Sequence, residues 1–307
     1  MYTVGGFCFE RVRGRIKLLR MANKSDNLPD RRRPIGIFDS GVGGLTVYRA
    51  LHDRLPNERF VYLGDTARVP YGTKSLATVE RYALENSEFL ARMGVKVLVV
   101  ACNTASALAL PAIRERIGID VVGVIGPGGR RAVELSERKP ARIGVIATEA
   151  TIASNAYRDA IHRADPGAEV FQAACPLFVP LAEEGWTDEP ETVSIAERYL
   201  KEMRDHQPET LVLGCTHYPI LREVIQQTVG ADVKLIDSGE ATAEEVFELL
   251  RDRGLENDET VSGDRGLCDD LDHFYVTDAA ERFARVAERF LGTPPSVLEA
   301  VEVPNLR

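Results

Sequence analysis

The chain has 307 residues, enough for one large or two modest domains, and its 44% apolar and 28% charged residues are ordinary for a globular protein. A net charge of −9 argues against broad nucleic-acid binding, which requires a basic surface. No apolar run approaches the roughly 18 residues of a membrane helix, and the basic first twenty residues lack the apolar core of a signal peptide. Five dispersed cysteines do not resemble a disulfide framework or a zinc site. We therefore expect a cytoplasmic protein without a metal site or a membrane partner.

Residues 1–33 differ in composition from the rest of the chain, because they are rich in Arg and Lys and show little periodicity. They are expected to form a flexible N-terminal extension, or to lie upstream of a true start at Met21. A third interpretation is a regulatory segment that folds over the first domain.

From Pro34 onward, apolar runs of strand length alternate with stretches of helical periodicity. Strands are predicted at Ile35–Phe38, Phe60–Leu63, Val95–Ala101, Val121–Ile125, Arg142–Ala147, Glu169–Phe171, Leu211–Leu213, Val233–Ile236 and His273–Val276. Helices are predicted up to about Leu55, over Ser75–Met93 and Ala241–Arg251, and in a last helix ending near Gly292. This alternation indicates parallel sheets that bind ligands beyond the carboxyl ends of the strands.

Two cysteines stand at such strand ends in similar contexts. Cys102 follows a strand and precedes Asn103-Thr104, and Cys215 follows a strand and precedes Thr216-His217. A helix start lowers the pKa of a thiol and binds carboxylate oxygens through free N–H groups, so we expect both effects here. One such cysteine alone could be a small buried apolar residue. The pair instead predicts two thiols facing one anionic substrate, as a two-base proton transfer requires.

Four segments, taken in order, carry a family resemblance. They are Ile37–Thr46, Pro70–Gly72, Ala101–Ala105 and Gly214–Pro219. They resemble the signatures of glutamate racemase, a family of the cofactor-independent aspartate/glutamate racemase superfamily, and the resemblance extends from about residue 34 to 292. It implies an α/β fold of two pseudo-symmetric, flavodoxin-like domains with parallel sheets and an active site at their interface. The implied first domain comprises residues 34–126 plus 237–307, and the second comprises residues 127–236.

The resemblance also implies catalytic roles. Cys102 and Cys215 would be the two bases, because the weakly acidic Cα–H of glutamate must be exchanged on opposite faces and a thiol has a pKa of about 8.5. Asp39 would orient or tune Cys102, or it caps the following helix, and the two roles are compatible. His217 would steady the thiolate of Cys215 or help to protonate it, or it is a structural histidine.

Further residues are assigned to substrate binding. Hydroxyl, amide and backbone groups suited to carboxylates come from Ser40, Asn103, Thr104 and Thr216, beside Asp39 and His217. Tyr71 and Gly72 resemble a substrate-binding loop, or they form an ordinary turn. Asp65 and Glu183 match accessory carboxylates of the family, although Glu184 adjoins Glu183, and Thr148 and Thr151 could add substrate contacts.

The implied activity is the interconversion of L- and D-glutamate without cofactor or metal, supplying D-glutamate for peptidoglycan. Alternatives are an aspartate or other small-acid racemase, and a regulatory binding protein of the gyrase-inhibitor type that uses the basic N-terminal segment. Gly41–Gly44 lacks both the G-x-G-x-x-G spacing and a P-loop lysine, so a nucleotide site is not predicted. The sequence leaves open a homodimer, activation by a cell-wall precursor and a contact with DNA gyrase.

Overall fold

A computed structural model describes residues 2–4, 7–12, 15–19, 30–259 and 265–305. The first three ranges are the strands β1 (Tyr2–Val4), β2 (Phe7–Val12) and β3 (Arg15–Leu19), which pair antiparallel in a sheet of their own. The predicted start at Met21 lies outside the described residues. The flexibility of this extension stays a prediction.

The larger sheet contains six strands, all parallel to their neighbours. The strands are β4 (Ile35–Asp39), β5 (Phe60–Gly64), β6 (Val97–Val100), β7 (Asp120–Gly123), β12 (His273–Val276) and β13 (Leu298–Ala300). Their spatial order is β13-β12-β5-β4-β6-β7. The chain therefore leaves this sheet after β7 and returns to it with its last two strands.

The smaller sheet contains four parallel strands. They are β8 (Arg142–Ala147), β9 (Glu169–Ala174), β10 (Thr210–Gly214) and β11 (Lys234–Asp237), in the spatial order β11-β10-β8-β9. Two parallel sheets confirm the predicted α/β class.

Twelve helices cover the faces of the two sheets in the described part of the chain. They are α1 (Leu45–Arg54), α2 (Leu76–Arg92), α3 (Asn103–Leu108), α4 (Leu110–Arg116), α5 (Ile125–Glu134), α6 (Glu149–Ala153), α7 (Ala156–Ala164), α8 (Phe178–Glu184), α9 (Pro190–Asp205), α10 (Arg222–Val229), α11 (Ser238–Arg253) and α12 (Ala280–Leu291). No helix in residues 30–259 or 265–305 is both long and apolar enough to cross a bilayer.

Burial on both faces explains why the strands read as continuous apolar runs. In β6, Val97 and Val99 belong to the core that contains α1, whereas Leu98 and Val100 belong to the core that contains α2. A parallel strand between two helical layers is apolar along nearly its whole length. Two predicted strands were too long. The strand β6 comprises only Val97–Val100, and β7 ends at Gly123 because Ile125 already begins α5.

The chain just after residue 29 is attached to the region of the larger sheet by a hydrogen bond from the buried Lys96 and an exposed ion pair of Arg32. Lys96 Nζ pairs with Glu58 and donates to the carbonyl of Arg31 at 2.7 Å. Arg32 binds Asp258 at 3.1 Å. These contacts hold the described chain from residue 30 onward independently of the upstream strands, which pair only with each other among the described strands.

A variant that begins at Met21 is therefore expected to fold and to turn over substrate as well as the full chain. Its thermal unfolding midpoint and kcat, measured beside those of the full chain, check this expectation. A large loss of turnover, or a new requirement for an activator, would instead show that residues 1–20 are regulatory.

Candidate active site

A cavity of about 70 Å³ lies where the carboxyl ends of the two sheets meet. It is lined by Ser40, Gly41, Val69, Pro70, Tyr71, Gly72, Cys102, Asn103, Thr104, Thr148, Val179, Glu183, Cys215, Thr216 and His217. Segments on both sheets contribute, so the cavity exists only when the two halves are assembled. Ligands of parallel α/β sheets bind at this edge.

Cys102 comes from the larger sheet, where it lies two residues after the end of β6 and immediately precedes α3. Its sulfur lies 3.4 Å from Ser40 Oγ. Burial and the neighbouring Asp39 carboxylate raise the pKa of the Cys102 thiol to about 12. The predicted lowering of this pKa is wrong, because desolvation outweighs what the short helix and Ser40 contribute. Cys102 is a neutral thiol at pH 7 in this site.

Cys215 comes from the smaller sheet, directly after β10. The predicted helix does not begin beside it. Pro219 has no N–H to donate to the carbonyl of Cys215, so Tyr218 N donates instead, at 3.0 Å, in a 3-10 turn over Tyr218–Leu221. The regular helix α10 starts only at Arg222. His217 is thereby left beside the cysteine and not within a helix.

His217 bridges Cys215 and Glu183. Its Nδ1 lies 3.8 Å from Cys215 Sγ, and its Nε2 lies 3.2 Å from Glu183 Oε1. Burial alone would lower the pKa of His217, but its hydrogen bonds to Cys215 and Glu183 raise it to about 10. The ring is therefore an imidazolium at neutral pH. Its positive charge stabilises a negative charge on the Cys215 sulfur.

Glu183 is held as a carboxylate by groups from two parts of the chain. Burial alone would raise its pKa, but the hydrogen bond from His217 and the charge of Arg282 hold the pKa of Glu183 below its usual range. Arg282, on α12, lies 3.0 Å from Glu183 Oε2, and Arg289 donates to the Glu183 carbonyl at 2.7 Å. Glu184 is exposed, so the structure distinguishes the two adjacent glutamates.

Asp39 ends β4 and is buried within electrostatic range of both Cys102 and His217. One carboxylate oxygen accepts from Gly41 N at 2.9 Å, and the other has no hydrogen-bond partner among the described residues. Burial raises the pKa of Asp39, although the charge of His217 opposes this. Asp39 thus acts electrostatically on both sides of the cavity, because it also raises the pKa of Cys102.

Hydroxyl and amide groups line the rest of the cavity. Thr104 lies 3.0 Å from Thr148 and 3.2 Å from Thr151, measured between the hydroxyl oxygens, and this cluster joins α3 to the end of β8. Thr216 is fixed through its carbonyl, which accepts from the Thr46 hydroxyl at 2.8 Å. Asn103 has a buried Nδ2 without a partner among the described residues.

The segment around Tyr71 and Gly72 is supported from behind by Asp65. This carboxylate is fully buried and accepts from the Tyr71 hydroxyl, from Arg68 Nε at 2.7 Å and from Thr277 at 3.0 Å. Asp65 and Thr151 are not among the residues that line the cavity, so both act through neighbours. Arg68 was not predicted as a functional residue, because its several hydrogen-bond acceptors come together only in the folded chain.

Gly43 allows the glycine-rich turn to approach the smaller sheet. A Cβ atom at this position would overlap Thr216 Oγ1 and the His217 ring. Gly43→Ala is therefore expected to displace His217 and lower kcat/KM roughly tenfold. Gly118→Ala, where a Cβ meets nothing within 4 Å, is the matched control in a steady-state assay. Equal kinetics of the two variants would contradict this role of Gly43.

Comparisons with known proteins agree with this geometry. The Asp/Glu/Hydantoin racemase family model matches residues 35–246. A glutamate racemase of Geobacter metallireducens is 53% identical over 260 residues, which are 85% of this chain and 93% of that protein. The crystal structure of Francisella tularensis glutamate racemase in complex with D-glutamate has a TM-score of 0.81 and 41% identity, covering 90% of this chain and 100% of that one.

A third relative is the Escherichia coli glutamate racemase, whose structure contains L-glutamate and the activator UDP-MurNAc-ala. It has a TM-score of 0.69 and 31% identity, covering 89% of this chain and 99% of that one. The chain therefore belongs to the Asp/Glu/Hydantoin racemase family and, within it, to the glutamate racemases. The predicted activity, interconversion of L- and D-glutamate by an isomerase, is confirmed at the level of the family.

Proposed function

We propose that the chain racemises glutamate by a two-thiol mechanism in the cavity between its sheets. Cys215, as thiolate, removes the Cα proton from one face, and Cys102, as thiol, delivers its proton to the other face. The products are the opposite enantiomer, a Cys215 thiol and a Cys102 thiolate, so atoms and charge balance. The reverse reaction uses the same groups with exchanged roles.

One observation carries this proposal: the two thiols line one cavity from different sheets and stand in unequal electrostatic surroundings. Cys102 faces the Asp39 carboxylate and is a neutral thiol, whereas Cys215 faces the His217 imidazolium. A two-base racemase needs one acid and one base at the start of each turnover. We assign the role of first base to Cys215, because the positive charge of His217 lies beside its sulfur.

Substrate binding is assigned to the polar groups around the sulfurs. The hydroxyls of Ser40, Thr104, Thr148 and Thr216 and the free amide of Asn103 suit the two carboxylates of glutamate. Gly72 and Tyr71 close one wall, since the Gly72 carbonyl accepts from Ala150 N at 3.3 Å and links the two halves. Closure of this wall excludes water from the reacting carbon.

The domain bounds, the cellular location and the biological role of the protein are also part of the proposal. Residues 34–126 plus 237–307 form the first domain around the larger sheet, and residues 127–236 form the second. The protein acts in the cytoplasm and supplies D-glutamate for peptidoglycan. The activator bound by the Escherichia coli relative supports a cell-wall precursor as an activator here. The homodimer and the gyrase contact stay predictions.

Chiral analysis of purified protein incubated with L-glutamate, and separately with L-aspartate, tests the substrate. We expect racemisation of glutamate and little of aspartate, with full activity after exhaustive dialysis against EDTA and no absorbance in the pyridoxal region. Preference for aspartate would favour the alternative small-acid racemase. Activity that is lost on dialysis and restored by zinc or pyridoxal phosphate would overturn the thiol mechanism.

A further inference from the structure

Tyr157 lies behind the cavity and has no place in the mechanism described so far. It belongs to α7, on the smaller-sheet side, and is only 1% exposed. Its ring is held tightly, since a Cβ at Gly214 would lie 2.9 Å from one ring carbon and a Cβ at Gly128 would lie 3.3 Å from another. Gly214 immediately precedes Cys215. The phenol is thus a rigid element next to the reacting groups.

The hydroxyl of Tyr157 donates to Asn103 Oδ1 at 2.6 Å. Burial raises the pKa of Tyr157, so the phenol keeps its proton and is the donor in its hydrogen bond to Asn103. This fixes which end of the amide faces Tyr157.

The opposite end of the same amide is a donor that points away from Tyr157. Asn103 lines the cavity and is 3% exposed, and its Nδ2 has no partner among the described residues. A buried amide donor without a partner is costly, and a carboxylate oxygen in the cavity would satisfy it. If the amide were turned over, it would present an oxygen to an anionic substrate and would repel it.

We propose that Tyr157 is a positioning residue for glutamate binding, whose hydroxyl holds the Asn103 amide with Nδ2 toward a substrate carboxylate. The inference rests on the proposed function, because it assumes that Asn103 binds substrate. The contact also couples the two halves of the molecule, since α3 follows the larger sheet and α7 follows the smaller one. The amide is therefore set correctly only when the halves are closed.

Tyr157→Phe removes the hydroxyl and keeps the ring. We expect KM for glutamate to rise roughly tenfold with kcat nearly unchanged, because a contact used equally by the bound substrate and the transition state acts on KM. Asn103→Ala should raise KM at least as much. The double variant should match Asn103→Ala within about twofold, because Tyr157 acts through Asn103.

One further variant separates positioning from packing. Tyr48→Phe is the matched control, because Tyr48 is equally buried and its hydroxyl bonds Asp272 at 2.7 Å, beside β12 and away from the cavity. It should lower the unfolding midpoint and leave KM unchanged. The unfolding midpoint of Tyr157→Phe, measured beside that of Tyr48→Phe, shows whether a raised KM reflects the loss of the hydrogen bond or the loss of folded protein.

The outcomes distinguish the inference from the function on which it rests. If Asn103→Ala raises KM but Tyr157→Phe does not, the positioning role is wrong and the Asn103 contact stands. If Tyr157→Phe raises KM by the same factor in the Asn103→Ala background as in the wild-type protein, Tyr157 acts independently of the amide and the inference is overturned. If none of the variants changes KM while the protein racemises glutamate, both the Asn103 contact and the inference are wrong.

Discussion

Cys102→Ser and Cys215→Ser should each lose glutamate racemisation by at least three orders of magnitude. A serine hydroxyl occupies the same space but is far too weak a base, and interconversion needs a competent group on both faces of Cα. The measurement is circular dichroism of the amino acid, or chiral chromatography, with each enantiomer as the starting substrate. Near wild-type turnover in either variant would contradict the two-thiol mechanism.

A second substrate type separates the two cysteines. Because the enantiomers have equal free energy, kcat/KM for racemisation must be the same in both directions and cannot reveal which face each thiol serves. An analogue that eliminates a leaving group after one deprotonation, such as a β-chloro or N-hydroxy glutamate, needs one base only. By family resemblance, Cys215 serves L-glutamate, so Cys102→Ser should still process the L-analogue and Cys215→Ser the D-analogue. The reverse pattern would show that the faces are exchanged.

His217→Asn should lower kcat roughly a hundredfold or more, because it removes the positive charge 3.8 Å from the Cys215 sulfur. The loss should be greater for elimination from the L-analogue, where Cys215 is the base, than from the D-analogue. Equal losses for the two analogues would show that His217 supports the site as a whole and not Cys215 in particular.

The pH dependence of the activity tests the role of His217 through its partner Glu183. The pKa of His217 is about 10, so the activity that depends on the imidazolium should decline as the pH rises through that value. The folded-state pKa of His217 lies above its ordinary value of about 6.5. The stability that the charged ring contributes is therefore fully present below pH 6.5 and is lost as the pH rises through about 10. Glu183→Gln replaces a carboxylate by a neutral amide, so the alkaline limb should move to lower pH.

Glu184→Gln is the matched control for this shift. Glu184 is exposed, adjoins Glu183 in sequence and makes no contact with His217. Its profile should coincide with that of the wild-type protein. A limb that moves equally in both variants would contradict a specific Glu183–His217 pair.

The strands and the site motifs could be predicted from the sequence because each depends on local pattern. A parallel strand buried on both faces is apolar along nearly its whole length, so the predicted bounds of β4, β5 and β12 agree with the structure to within one residue. The motif residues follow strand ends, where parallel sheets place their ligands. The strand β13 gave no such signal, because Leu298–Ala300 is a short edge strand recognisable only by its pairing with β12.

The sequence by itself determined the fold class, the two cysteines and most of the residues that line the cavity. Only the tertiary structure decided the electrostatics, because pKa values depend on burial and on neighbours that are distant in the chain. The Cys102 thiol has a raised pKa since it is buried beside Asp39, which belongs to another strand. The Arg282–Glu183 pair and the Tyr157–Asn103 hydrogen bond likewise join residues 99 and 54 positions apart. No spacing along the chain encodes such contacts, because the packing of the two halves creates them.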